Sequence, residues 1–293
     1  MTESLSTLAV EAARKIEFEP EIKGGEPTLR VMVVDYPYCY GFWRSCDEIA
    51  GSTLAYGDLQ SETVIKKAIQ NLGGERYLGV KSQIGRGRFS IFKDSVLVSF
   101  QTFTDVIVFP EKERTEFKDA SGRSVQVNNG STGWVYDGAT EKVRDQDEAQ
   151  VKSFKQGIRT SLDNLLRGYW HGDAELTYVG KRAATLGKRN DVIKLTYKDG
   201  FAVEFEFAAD DGLPAKAIYK RTNADGEEVK EEDRYAQFVD IAGVRTPFII
   251  DRFTNGVPSS RINYESVEFN KPIPDSAFAK PASAKDAKRD VKF

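Results

Sequence analysis

Two cysteines and one histidine in 293 residues are too few for a zinc cluster or a disulfide scaffold, and they leave little that titrates near neutral pH. Neither a metal centre nor a cofactor is expected. No stretch approaches the roughly 20 apolar residues that a bilayer-crossing helix needs, and the longest candidate, Val31 to Val34, is strand-sized. Neither sign of charge dominates, with 42 Lys and Arg against 45 Asp and Glu. Nucleic acid is therefore not an expected partner, and bulk charge implies no anionic surface. The opening Met1-Thr2-Glu3-Ser4-Leu5 lacks the basic start and apolar middle of a secretory signal. What is present is 40% apolar residues, enough to fill a sizeable core in one large domain or in an ordinary domain with an appendage.

Residues 4 to 16 read as a short helix with Leu5, Ala9, Ala12 and Ile16 on one face, broken at Phe18-Glu19-Pro20. A turn at Gly24-Gly25-Glu26-Pro27 leads to a β-branched run from Leu29 to Tyr36, read as a strand. An aromatic connector containing Cys39 and Cys46 follows. A second helix is expected with Ser61 as N-cap, Val64, Ile65, Ala68, Ile69 and Leu72 on one face, and Gly73-Gly74 as the stop.

From Tyr77 to Tyr136 the pattern has period two, with turns expected at Gly85-Arg86-Gly87, Lys93-Asp94, Asp119 to Gly122 and Asn128 to Gly130. A third helix spans about Asp145 to Arg167, carrying the stripe Val151, Phe154, Ile158, Leu162 and Leu165. Strands then resume to Phe269, the clearest being Phe201, Val203, Phe205 and Phe207 alternating with Ala202, Glu204 and Glu206. The polar stretch after Pro281 is expected to be a disordered tail. A dozen or more antiparallel strands must curl, close or pair into layers. The reading is an α+β fold, a strongly curved antiparallel half-barrel sheet with helices covering its concave face. The expected divisions are residues 1–50, a half-barrel domain over 51–281, and the tail over 282–293.

From about Ser61 to Pro281 the chain resembles the LolA-like superfamily of lipoprotein-sorting and lipid-carrier proteins. The resemblance rests on Leu72-Gly73-Gly74, Phe109-Pro110, Asn129-Gly130 through Gly133-Trp134-Val135-Tyr136-Asp137-Gly138, Asp211-Gly212-Leu213-Pro214, Gly243-Val244-Arg245-Thr246-Pro247 and Asn270 through Phe278, in that order. It implies a non-enzymatic periplasmic carrier whose half-barrel pocket holds the acyl chains of a lipid or lipoprotein. A sixteen-carbon chain calls for roughly 10 kcal/mol of apolar lining, and so for a greasy interior without fixed chemistry. Alternation nominates Val96, Val98, Phe100, Val106 and Val108 from the first set of strands and Phe201, Val203, Phe205, Phe248 and Ile250 from the second. Phe154 and Ile158 are nominated from the lid helix. The same residues suit a filled core, in which case the chain is an envelope interaction module.

A second resemblance, to the latter half of a TonB C-terminal domain, lies in Phe18-Glu19-Pro20, Gly25-Glu26-Pro27 and Val31 to Tyr36. It implies an envelope protein partner docking through residues 1–50, and peripheral contact with a membrane fits the same setting. Cys39 and Cys46 read equally as a disulfide or as two buried thiols. His171 reads as a surface or capping residue without a nucleophile beside it. Glu204 and Glu206 are expected to face solvent, and Asp210 and Asp211 to sit in a turn. Arg86 and Arg88 are expected at a hairpin, near enough to the pocket mouth to meet an anionic headgroup.

Overall fold

A computed structural model describes residues 56–293 apart from 121, 186, 224, 289, 290, 292 and 293, together with 22, 23, 26 and 27. The chain divides into two compact units, Met1–Thr53 and Leu54–Phe293. In the first, β1 (Ile22–Lys23) and β2 (Glu26–Pro27) pair antiparallel, Ile22 with Pro27 and Lys23 with Glu26. The readings of a helix over 4–16, a strand over 29–36, the TonB-like docking segment and the cysteine pair lie outside the described residues.

The second unit opens with α1 (Tyr56–Leu72) and the single turn α2 (Glu75–Leu78). Helix α1 begins before the expected cap, and Ser61 lies buried inside it. Its apolar stripe is as read: Val64, Ile65, Ala68, Ile69 and Leu72 are all buried, against β9, β10 and β14 defined below. The helix stops at the two glycines. Gly73 and Gly74 have φ of 128° and 58°, and the Gly74 amide donates to the Ile69 carbonyl at 2.8 Å. A Cβ on Gly73 would stand 2.3 Å from the Gly243 carbonyl oxygen, so backbone shape and packing both require glycine there.

Six strands follow: β3 (Ser82–Lys93), β4 (Val96–Val108), β5 (Lys112–Asp119), β6 (Gly122–Asn129), β7 (Thr132–Asp137) and β8 (Lys142–Asp145). After α3 (Glu148–Thr160) and α4 (Leu162–Leu166) come β9 (Ala174–Ala183), β10 (Arg189–Tyr197), β11 (Ala202–Ala208), β12 (Pro214–Thr222), β13 (Glu228–Ile241), β14 (Val244–Thr254) and β15 (Val257–Phe269). They form one antiparallel sheet in the order β8-β7-β6-β5-β4-β3-β15-β14-β13-β12-β11-β10-β9. Two meanders thus run outward from a central β3–β15 pair.

Laid flat, twelve inter-strand steps would put β8 about 58 Å from β9. Yet Glu113 on β5 and Tyr219 on β12, six of those steps or about 29 Å apart in a flat sheet, line one cavity. The sheet is open and curled. The expected single helix over 145–167 is two, because Ser161 has extended backbone (φ −76°, ψ 148°) and its hydroxyl accepts from the Asn164 amide, capping α4. Asp147 and Gln150 form a full capping box on α3.

The expected turn at Gly85-Arg86-Gly87 is strand. A Cβ on Gly85 would lie 2.4 Å from the Tyr264 ring, and one on Gly87 would lie 2.1 Å from the Asn263 carbonyl oxygen. These glycines make room for Tyr264 and the neighbouring strand. Arg86 pairs with Glu268 (2.7 Å) and Arg88 with Glu265 (2.6 Å), so both guanidinium groups are already engaged. Tyr77 lies in α2 instead of a strand, and its hydroxyl donates to Asp163 at 2.9 Å. Arg167 binds the same carboxylate and the Val80 carbonyl, with its guanidinium 4.5 Å from the Tyr77 and Phe109 rings. This clamp ties α4 to the start of the sheet.

The segment read as a disordered tail contains a described helical turn, α5 (Ala284–Ala287). With the preceding Ala277 and Phe278, Ala287 closes a cluster with Ile84, Val106, Val125, Val127, Trp134 and Tyr136. Buried hydrogen bonds fasten the segment: Trp134 Nε1 donates to the Phe278 carbonyl (3.0 Å), and Arg114 donates to the Ala277 carbonyl (2.8 Å). Its composition is polar, but Ala and Phe at a few positions suffice to seal one sheet face. Glu206, expected in solvent, is 1% exposed and accepts from Arg182 and Asn190, each at 2.8 Å. A buried carboxylate needs such partners.

Candidate functional site

The same strands that close the tail-covered face line a cavity with their other side chains. On β4, Val106 belongs to the sealed cluster, whereas Asp105 and Ile107 line the cavity. On β6, Val125 and Val127 belong to the cluster, and Gln126 and Asn128 line the cavity. The cavity is about 1010 Å³ and is bounded both by strands and by α3 and α4, which contribute Phe154, Ile158 and Leu162. Leu72, Phe109, Phe238, Ile250 and Ile262 add to its apolar wall.

Its other wall is polar. Pairing across the sheet sets Ile107 beside Glu113 and Glu113 beside Asn128, with Asp105 two residues along β4 beside Thr115. Thr115 donates to Asp105 at 2.8 Å. Neither Asp105 nor Glu113 forms an ion pair among the described residues. Burial raises the Asp105 carboxyl to about 6. Burial, followed by the nearby Asp105 charge, raises Glu113 to about 8. From the second meander come Tyr219, Asp233, Tyr235, Arg252 and Tyr264. Burial pushes Tyr219 up to about 12 and Asp233, Tyr235 and Tyr264 above their ordinary values. Arg252 lies 3.6 Å from Asp233 with 45% of its side chain accessible, and it lines both this cavity and a smaller one of about 260 Å³ beside Phe92 and Pro258.

Of the twelve residues nominated from sequence, Phe154, Ile158 and Ile250 line this cavity. Val106 and Val108 pack in the tail-covered cluster. Val96, Val98 and Phe100 are 63%, 57% and 49% exposed near the start of β4. Val203 and Phe205 are fully buried in the core, and Phe201 packs against Tyr197 and Tyr219. Phe248 meets the Tyr264 ring at 6.3 Å without lining the cavity. Period two was legible on β4, but the face was not, and one step in register exchanges the faces. Sequence reasoning passed over Asp105, Glu113, Asn128 and Arg252. The available signal was an acidic residue inside the apolar strand Val96–Val108, and the run of charged residues from Lys230 to Arg234 in β13, beside Arg252.

His171 is exposed, with its ring 4.0 Å from that of Trp170, and does not line the cavity. Among the described residues no three His, Cys, Asp or Glu side chains come together as a metal-ligating set, and no helix is long and apolar enough to cross a membrane.

No protein-family model matches the chain, and no curated protein matches it. Solved structures do. A LolA superfamily protein from Nitrosomonas europaea superposes with a TM-score of 0.52 at 16% identity, over 77% of this chain and 99% of that one. An outer membrane lipoprotein-sorting protein domain from Vibrio parahaemolyticus gives 0.54 at 12% identity, over 75% and 97%. A DUF1329 family protein from Desulfovibrio piger gives 0.54 at 13%, over 75% and 97%. The chain has a LolA-like fold. The likeness covers nearly the whole of each of those chains and about three quarters of this one, in keeping with the resemblance read from about Ser61 to Pro281.

Proposed function

We propose that the protein is a non-enzymatic carrier or binder of lipid or lipoprotein acyl chains in the periplasm, and that the helices α3 and α4 lid the concave face of its sheet. The observation that carries this reading is the cavity of about 1010 Å³ between strands and helices. A filled core would leave no such space, since protein interiors pack to near crystal density. The half-buried Phe154, Ile158 and Leu162 on α3 and α4 support it, because apolar side chains that line a cavity gain burial when an acyl chain enters. The LolA-like fold supports it further, because the Vibrio structure is that of a lipoprotein-sorting protein domain. An envelope lipid surface or protein partner is the donor or acceptor that such a carrier requires.

The test is binding of a fluorescent acyl probe to the purified chain, with Ile158→Trp as the blocked-pocket control. Saturable binding that the substitution weakens supports the reading. No binding by the wild-type chain would overturn it.

A further inference from the structure

An acyl-chain carrier needs only an apolar pocket, but this cavity has a wall of polar groups that make few hydrogen bonds among the described residues. Arg252 lies 3.6 Å from Asp233 and donates no hydrogen bond among the described residues. The hydroxyls of Tyr219, Tyr235 and Tyr264, which line the same cavity, make none there either. On the first meander Glu113 has neither an ion pair nor a hydrogen bond, and Asp105 accepts only from Thr115. Asn128, directly across from Glu113 and 2% exposed, has a side-chain oxygen with no hydrogen-bond partner. Asp105 and Asn128 are buried, Glu113 and the three tyrosines half-buried and Arg252 accessible, so the cavity presents these groups together to whatever enters it, and the buried Asn128 oxygen lacks the partner that such groups normally have.

The polar groups of the two halves of the sheet differ in their donors. The second meander offers the donors, a guanidinium and three phenols, beside the Asp233 carboxyl 3.6 Å from Arg252 and the Glu231 carboxyl paired with Arg221. Such donors are the chemistry that grips a phosphate, with charge-assisted N–H and O–H bonds. The first meander offers acceptors, two carboxyls and a buried amide oxygen, which is the chemistry that takes the N–H donors of an ammonium. The halves are within electrostatic range, since the Arg252 charge acts on both Asp105 and Glu113, and both carboxyls act on Tyr264. A cavity for a purely anionic lipid would gain nothing from Asp105 and Glu113, and one for a bare cation would gain nothing from Arg252.

We infer that the polar wall of the cavity is a headgroup subsite for a zwitterionic phosphoethanolamine amphiphile, with the phosphate on Arg252 and the tyrosines and the ammonium on Asp105, Glu113 and Asn128. The acyl chains then run along Phe154, Ile158 and Ile250. The inference deepens the carrier reading and rests on it. It also explains why the interior is not the uniformly greasy one that acyl chains alone require.

The experiment is calorimetric titration of the wild-type chain with short-chain phosphatidylethanolamine and phosphatidylglycerol of identical acyl chains, both below micelle formation, and with free phosphoethanolamine. Loss of hydrogen bonds to charged groups translates into an order of tenfold or more in affinity. The ethanolamine lipid is therefore expected to bind at least tenfold more tightly than the glycerol lipid. Glu113→Gln, nearly isosteric, should erase that preference while glycerol lipid binding persists, and Arg252→Met should weaken both lipids. Equal wild-type affinities for the two lipids overturn the headgroup assignment but leave the carrier reading standing. Binding of neither lipid overturns both. Free phosphoethanolamine binding as tightly as the lipid supports the zwitterion subsite and overturns the acyl-chain part of the reading.

Discussion

The two faces of strands β4 to β6 differ sharply, although a single alternating sequence builds both. One face is dry: Val106, Val125 and Val127 have no exposed surface, and Trp134 and Tyr136 are at 4% and 2%. The chain's own C-terminal segment covers it through Phe278 and Ala287. The other face, with Asp105, Glu113, Gln126 and Asn128, meets a cavity. The dry face stabilises the fold, and the proposed function assigns the cavity face to ligand. The polar groups are held where they are because the residues between them are locked into a sealed core.

If that division is right, substitutions on the two faces should separate stability from binding. The largest effect is expected for Trp134→Ala, which empties a buried site and removes the hydrogen bond to Phe278. A loss of about 3–5 kcal/mol should appear in urea unfolding, while ligand affinity of the folded fraction is unchanged. On the cavity face the leading effect is electrostatic. Unfolded carboxyls lose their protons near pH 4, but folded Asp105 and Glu113 hold theirs to about 6 and about 8. Between those values the folded state binds more protons, so these groups make stability fall as pH rises from about 5 to 8. Thermal melts of Asp105→Asn/Glu113→Gln against pH should lack that part of the decline seen in wild type.

A smaller effect is expected for Ile107→Ala, which trims a half-buried side chain at the cavity. About 1 kcal/mol of stability should be lost, below the range for fully buried sites, together with weaker acyl-probe binding in a fluorescence titration. The smallest is Val98→Ser. At 57% exposure it should change stability by no more than about 0.5 kcal/mol and leave probe binding unaltered. A clear loss of binding there would mean that the faces have been assigned the wrong way round.

Much of the architecture was legible because it follows from local chemistry. The α1 stripe from Val64 to Leu72, the Gly73-Gly74 stop and the two runs of strands all follow from periodicity and turn residues. The meaning of Gly85 and Gly87 was not legible, since glycine reads as a turn unless the Tyr264 ring across the sheet is known. Nor was the face of β4. Val96, Val98, Phe100, Val106 and Val108 share one parity, whereas Asp105 and Ile107, of the other parity, line the cavity. Which parity faces inward depends on what covers each face. The covering segment near Phe278 and Ala287 lies some 170 residues downstream, in a stretch whose polar composition masks its few anchoring side chains. The polar wall of the cavity is likewise a product of pairing between distant strands. Asp105, Glu113 and Asn128 become neighbours only through the register of β4, β5 and β6.

The most direct test of the central claim, that the face of β4 to β6 bearing Asp105 and Glu113 opens on a ligand pocket, is native mass spectrometry of the chain purified from an envelope extract, followed by organic extraction of what it carries. The account predicts a co-purifying acyl lipid near one-to-one, displaced by added lipid and lost in Ile158→Trp. Bare protein that takes up no added lipid would contradict it.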